Sequence, residues 1–261
     1  SVLNDINKNF SSAYVNIRTR PYQVIRYLKE IAQEFKKLSE RRTIRNHEFT
    51  LIKRKISLRE KFYYEKRLEF NELIKKEKFG PKNTSLLIFL NRTCFNGIYR
   101  ENKFGEYNVP YGKYEHPENE DTIVKGKSLI KVSKFLQNSQ IYSSDYSNIF
   151  KNAQEGDFVY LDPPYMPISS TSSFTGYDKS GFNIYDQIRL RVGIQELHEK
   201  GCYVMFNNSD QEYIRQLYSD NTIFNSKEFN INTIKANRVI NSKITARGKI
   251  NELVITNYHI D

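Results

Sequence analysis

Apolar residues recur at helical spacing from about Tyr22 to Lys78. Val24, Ile25, Leu28, Ile31 and Phe35 fall on one face, and charged residues fill most of the remainder. This pattern predicts a helical region. A second, more apolar helix is predicted from Ser85 to Arg92, and the Asn-, Gly- and aromatic-rich stretch from Thr93 to Tyr114 reads as an exposed loop. After Glu120 the texture changes. Short β-like runs at Ile141-Tyr142, Phe158-Val159-Tyr160-Leu161, Tyr203-Val204-Met205-Phe206 and Glu252 to Thr256 are separated by helical patterns around Tyr185 to Lys200 and after Asp210. Ser1 to Asp5 reads as the end of a further strand. Such alternation predicts an α/β layer with a mostly parallel sheet. In sheets of that kind ligands bind at the carboxyl ends of the strands, so the residues directly after each run are the candidates for chemistry. No internal repeat or low-complexity linker interrupts the chain.

Composition narrows the classes. A chain of 261 residues has room for one large domain or two modest ones. Lys and Arg total 41 against 30 Asp and Glu, a formal charge of +11, and this surplus favours a polyanionic partner, nucleic acid first. The clusters Lys36-Lys37, Arg41-Arg42 and Lys53-Arg54-Lys55 fit either a phosphate-binding stripe or a solvated face. Cys94 and Cys202 are too few for a disulfide framework or a cysteine-built zinc site, which points to a reducing cytoplasm. His47, His116, His198 and His259 are scattered and none has metal-ligand spacing, so no metal is expected. No apolar run approaches the roughly 20 residues of a bilayer span, and no signal-peptide pattern opens the sequence.

The run Phe158 to Leu161 has the pattern of a buried strand, and it ends in Asp162-Pro163-Pro164-Tyr165. Consecutive prolines donate no backbone hydrogen bonds, so they stop the strand and stiffen the turn while their carbonyls stay available as acceptors. A carboxylate, a fixed Pro163 carbonyl and an aromatic ring therefore sit together. They suit an exocyclic amine: two acceptors for its two N–H groups, which move its lone pair toward an attacking geometry, and the Tyr165 ring to stack on the base for about 1–3 kcal/mol. The plain alternative is a proline-containing turn with no chemistry.

Further segments carry a resemblance. They are Phe89-Leu90-Asn91-Arg92-Thr93-Cys94-Phe95-Asn96-Gly97-Ile98-Tyr99-Arg100 and Tyr107-Asn108-Val109-Pro110-Tyr111-Gly112-Lys113-Tyr114, then Ser172-Ser173-Phe174-Thr175, Gly181-Phe182, Asp186-Gln187-Ile188-Arg189-Leu190 and Arg247-Gly248-Lys249-Ile250-Asn251-Glu252. With the tetrapeptide they resemble the Dam family (class alpha, D12-type) of DNA adenine-N6 methyltransferases, in the DpnM branch found in restriction-modification systems. The match runs almost from end to end.

The resemblance implies a Rossmann-like, S-adenosylmethionine-dependent methyltransferase sheet formed by residues 1–10 and 120–261. Residues 11–119 would be an inserted target-recognition domain with a helical bundle and a DNA-reading hairpin. It implies Asp162, Pro163 and Tyr165 as the catalytic group. Asp5, Asp145, Tyr146 and Asp162 are implied as cofactor contacts, with Asp5 accepting from the ribose hydroxyls; the alternative for Asp5 and Asp145 is helix capping. Arg92, Phe95, Asn96, Arg100 and Lys113 are implied to touch double-stranded DNA. Arg100 would read a guanine, and Phe95 and Asn96 would wedge into the duplex as the target adenine leaves the stack, although Phe95 also fits ordinary packing. The implied activity is site-specific, on a short palindrome such as GATC, in a monomer or weak dimer. A cognate restriction endonuclease would be a system partner without direct contact.

Family members carry an aromatic-Lys segment and a glycine-rich loop ahead of the position of Asp5, and Ser1 to Asn4 hold neither. The expectation is a longer chain or a completing fragment, with weak cofactor binding by these residues alone. A DNA-binding remnant without turnover is the competing reading from another class, and methylation of RNA adenine or protein glutamine is a third.

Overall fold

The computed structural model describes residues 1–38, 42–45, 55–112, 120–165, 182–219, 229–237 and 249–259. They fall into two compact units, Ser1–Tyr146 and Ser147–Asp261.

The first unit opens with β1 (Val2–Asn4), α1 (Lys8–Thr19) and α2 (Pro21–Lys36), followed by the antiparallel pair β2 (Arg42–Arg45) and β3 (Lys55–Ser57). It continues through α3 (Leu58–Lys75), α4 (Pro81–Thr93), a 3-10 turn at Phe95–Gly97, α5 (Glu120–Val124), α6 (Gly126–Leu136) and β4 (Gln140–Tyr142). The helix starts have local causes. Asn7 caps α1 by accepting from the Asn9 N–H, Ser57 caps α3 by accepting from Glu60, and Pro21 and Pro81 sit in the first turns of α2 and α4, where a missing N–H costs nothing. Leu28, Phe35, Tyr63, Phe70, Leu86, Phe89 and Leu90 form the core, with Phe35 and Phe89 edge to face at 5.3 Å. Two expectations are corrected here. The helical region from Tyr22 to Lys78 is two helices separated by the antiparallel pair β2-β3, after which Ser57 restarts the helix. Asp5 does not cap α1; that position belongs to Asn7.

The second unit begins within α7 (Tyr146–Phe150), of which Ser147 to Phe150 belong to it. It contains β5 (Phe158–Leu161), α8 (Ile184–Glu199), β6 (Tyr203–Ser209), α9 (Glu212–Ser219), β7 (Asn230–Asn237) and β8 (Lys249–Thr256). Its sheet runs β5-β6-β8-β7. Strands β5 and β6 are parallel, and β8 is antiparallel to both β6 and β7. Against the expectation of a mostly parallel sheet, parallel pairing among the described residues occurs only at β5-β6 here and at β1-β4 in the first unit. The reversal arises because the last two strands, consecutive in sequence, pair with each other and return beside β6. Strand β7 lacks the apolar alternation that marks the others and is held by its register with β8, from Asn230↔Thr256 to Asn237↔Lys249. The buried pattern expected for β5 is also corrected. Phe158 and Tyr160, which share one face of the strand, are 60% and 54% exposed, while Val159 and Leu161 on the other face are half-buried.

Leu190, Ile194 and Leu197 of α8, Val204 and Phe206 of β6, and Leu253 and Ile255 of β8 form the buried core of this unit. Arg191 is buried too, its guanidinium 4.6 Å from the Phe229 ring and 5.6 Å from Tyr218. Cys94 and Cys202 are buried thiols, not joined in a disulfide. Among the described residues no helix is long and apolar enough to cross a membrane.

Candidate functional site

The tetrapeptide Asp162-Pro163-Pro164-Tyr165 leaves the carboxyl end of β5, where a parallel strand pair presents its ligand-binding edge. Asp162 is exposed, and neither its carboxylate nor the Pro163 carbonyl has a hydrogen-bond partner among the described residues. The Pro164 carbonyl is occupied: the fully buried Gln187, one turn into α8, donates to it through Nε2 at 3.1 Å. Gln187 Oε1 in turn accepts from Asn208 Nδ2 at 3.2 Å, and Asn208 Oδ1 accepts from the Ser209 N–H at 2.9 Å. The start of α8 is set by a reciprocal capping box between Asn183 and Asp186, which fixes where Gln187 lies.

Two phenols flank the turn. Partial burial, with the nearby carboxylates of Glu252 and Asp162, pushes Tyr165 up to about 12, so its hydroxyl stays protonated and donates to Glu252. Burial, and then the charge of Asp162, also raises Tyr160, whose hydroxyl accepts from Asn207 Nδ2 at 3.0 Å. The turn therefore offers a carboxylate and a carbonyl as open acceptors beside a ring anchored through its hydroxyl.

In the first unit the carboxyl ends of β1 and β4 lie side by side. Asn4 clamps the loop after β4, donating to the Ser144 carbonyl at 2.9 Å and accepting from the Ser144 N–H at 3.1 Å. Asp5, just beyond β1, accepts from the Asn7 N–H at 2.7 Å. Its carboxyl group lies above the ordinary Asp range because partial burial outweighs that hydrogen bond, and no cation faces it among the described residues. A half-buried carboxylate with acceptor capacity to spare is suited to a pair of hydroxyl donors. Asp145 and Tyr146 follow β4 on the same edge, at the start of α7.

Thr93 to Gly112 form a hairpin held by bridges Cys94↔Tyr111 and Glu101↔Tyr107. Helix α3 anchors one arm: the Tyr63 hydroxyl donates to the Val109 carbonyl at 2.8 Å, and Asn71 exchanges two hydrogen bonds with the Tyr107 backbone, at 2.9 and 3.1 Å. Asn96 and Gly97 have φ of 55° and 62°, a left-handed turn that Asn and Gly tolerate. This leaves Phe95 43% exposed rather than packed into the core. Arg100 is exposed, with Nε donating to Asn108 Oδ1 at 2.7 Å. Arg92 is exposed in the last turn of α4, and Asn7 Nδ2 links the loop after β1 to Glu101 of the hairpin at 3.3 Å.

The structure thus groups Asp162, Pro163 and Tyr165 in one turn, Asp5 with Asp145 and Tyr146 on one strand edge, and Phe95, Asn96 and Arg100 in one hairpin. Lys113, Tyr114, Ser172 to Thr175, Gly181, Arg247, Gly248, Arg41, Lys53, Arg54, His47 and His116 lie outside the described residues. Sequence reasoning gave no role to Gln187, Asn208, Glu252 or Asn108. The signals for Gln187 were its place in the resembling segment Asp186 to Leu190 and directly after the capping-box residue Asp186.

Comparison with known proteins gives the same direction. The family model for D12 class N6 adenine-specific DNA methyltransferase matches residues 1–240. The chain is 33% identical over 260 residues to a type II methyltransferase of Lactococcus lactis subsp. cremoris, covering 99% of this chain and 79% of that one. It is 36% identical over 259 residues to a type II methyltransferase of Methanocaldococcus jannaschii, covering 98% and 80%. Over 192 residues it is 31% identical to the DNA adenine methylase of Escherichia coli strain K12, covering 74% and 63%.

Proposed function

The chain belongs to the D12 class N6 adenine-specific DNA methyltransferases, and from that premise we propose that it methylates N6 of an adenine extruded from duplex DNA, with S-adenosylmethionine as donor, in a short palindrome such as GATC. Residues 11–119 act as the target-recognition domain, and residues 1–10 and 120–261 as the catalytic domain.

One observation carries the reading of the acceptor site: of the two proline carbonyls in the turn after β5, Pro164's is taken by Gln187, while neither Pro163's nor the carboxylate of Asp162 has a partner among the described residues. The adenine amine is a weak nucleophile because its lone pair is delocalised into the ring. Hydrogen bonds from its two N–H groups to Asp162 and the Pro163 carbonyl draw the nitrogen toward tetrahedral geometry and aim the lone pair. Tyr165, tied to Glu252, stacks on the extruded base.

S-adenosylmethionine supplies an electrophilic methyl group on its sulfonium. The strand-end residues fit this donor: Asp5 has acceptor capacity for the ribose hydroxyls, and Asp145 with Tyr146 stands on the adjacent strand end for the adenine. Arg100 reads a guanine from the hairpin, Phe95 and Asn96 enter the duplex, and Arg92 and Lys113 contact its backbone. The formal charge of +11 supports a duplex partner. Two relatives are named type II methyltransferases, which supports a protective role in the cytoplasm beside a restriction endonuclease. The test is transfer of labelled methyl groups to short duplexes that differ at one base pair: incorporation into N6 of adenine at one palindrome is expected. Binding of duplex without incorporation would leave a DNA-binding remnant, and incorporation into RNA or peptide would redirect the substrate.

A further inference from the structure

We propose that Gln187 is a positioning residue for methyl transfer, fixing the Pro164–Tyr165 peptide so that the Pro163 carbonyl and the Tyr165 ring meet the adenine together. The inference rests on the reading of Asp162 and Pro163 as acceptors of the adenine amine. The two prolines have no N–H with which to hold the turn, so at their positions the carbonyls are the only backbone hydrogen-bonding groups. Pro164 is exposed, and its carbonyl would ordinarily face water. Instead it receives a hydrogen bond from an amide at 0% exposure, Gln187 Nε2 donating to Pro164 at 3.1 Å. Peptide planarity turns that single bond into a constraint on the whole unit between Pro164 and Tyr165, and so on the direction in which the Tyr165 side chain leaves the chain.

The direction of the amide is itself fixed. Asn208, also at 0% exposure, donates to Gln187 Oε1 at 3.2 Å, so a flipped amide would set N–H against N–H there and oxygen against oxygen at Pro164. Asn208 is held by the Ser209 N–H at the carboxyl end of β6, the strand parallel to β5. A chain of oriented hydrogen bonds therefore runs from the sheet, through α8, to the turn. Burying two amides is costly unless every site is used, and these amides connect to a surface turn rather than to each other alone.

The donor requirement gives a test that separates positioning from packing. Gln187→Glu keeps the shape. When ionised, the introduced carboxylate offers only acceptors and faces the Pro164 carbonyl without a proton; when protonated, it donates to Pro164 again while still accepting from Asn208. Burial raises the pKa of such a carboxyl group into an accessible range. The expected result with duplex and S-adenosylmethionine is a kcat about tenfold below wild type at pH 8 that recovers toward wild type at pH 6. KM for duplex should be unchanged. Gln187→Met, which has no donor, should lose a similar factor at both pH values while melting as a folded protein. Matching pH profiles of Gln187→Glu and wild type, or a Gln187→Met variant that is folded with unchanged kcat, would overturn the inference. If Asp162→Ala keeps turnover in the same assay, the underlying reading of the acceptor site fails instead.

Discussion

Arg100 and Asn108 face each other across the hairpin through two hydrogen bonds: Arg100 Nε donates to Asn108 Oδ1 at 2.7 Å, and the Asn108 N–H donates to the Arg100 carbonyl at 3.0 Å. The side of the guanidinium next to its stem is thereby occupied, and its terminal nitrogens remain for a ligand. A guanine presents O6 and N7 at a spacing that this fork matches. Replacing Arg100 with Ala should cost about 1–3 kcal/mol on the cognate duplex and relax discrimination at one guanine. Asn108→Ala should cost less and act on the same base pair. Binding to duplexes substituted singly at each position would show this, and an unchanged preference would count against the assignment.

The proposed stacking of the Tyr165 ring and the bond of its hydroxyl to Glu252 can be removed separately. Tyr165→Phe retains the stacking face and loses the bond to Glu252, so it should keep most turnover. Tyr165→Ala should lose about 1–3 kcal/mol of base stacking. Fluorescence of a 2-aminopurine placed at the target position reports the extruded base, and the Ala variant should shift it further than the Phe variant.

Burial of the Asp5 carboxyl group carries a cost in stability. Its folded pKa is raised by burial, so the folded state holds its proton more firmly than the unfolded chain, and stability falls as pH rises from the ordinary Asp range through the folded value. Asp5→Asn keeps an acceptor for the Asn7 N–H and removes the buried charge. Its melting temperature should exceed wild type at pH 7, and the gain should vanish near pH 3. S-adenosylmethionine binding, followed by calorimetry, should weaken roughly tenfold through loss of the charged acceptor. A lower melting temperature at pH 7 would contradict the account of Asp5.

Most of the strand framework could be read from the sequence because it rests on local chemistry. Apolar runs at 141–142, 158–161, 203–206 and 252–256 became β4, β5, β6 and β8, and the proline pair marked the turn after β5. Strand β7 escaped because its residues, from Asn230 to Asn237, carry mainly polar side chains and gain their strand character from pairing with β8. The hairpin β2-β3 escaped for a related reason: its strands of four and three residues are too short to set a period of their own. The Gln187–Pro164 bond spans 23 positions, and a single glutamine in a helix announces no partner. Side chains that orient others through one hydrogen bond leave no periodic trace, which is why the contacts of Asn208, Glu252 and Asn108 emerged from the geometry.

The central claim is that this chain's family chemistry runs through Asp162. The most direct measurement maps N6-methyladenine in DNA from a methylation-deficient host that expresses the gene, as wild type and as Asp162→Ala, alongside duplex binding of both purified proteins. The account predicts methylation of one adenine within a single short palindrome for wild type, its loss by about a hundredfold or more in the variant, and duplex binding retained by both. N6-methyladenine left unchanged by Asp162→Ala, or none deposited by the wild type, would contradict it.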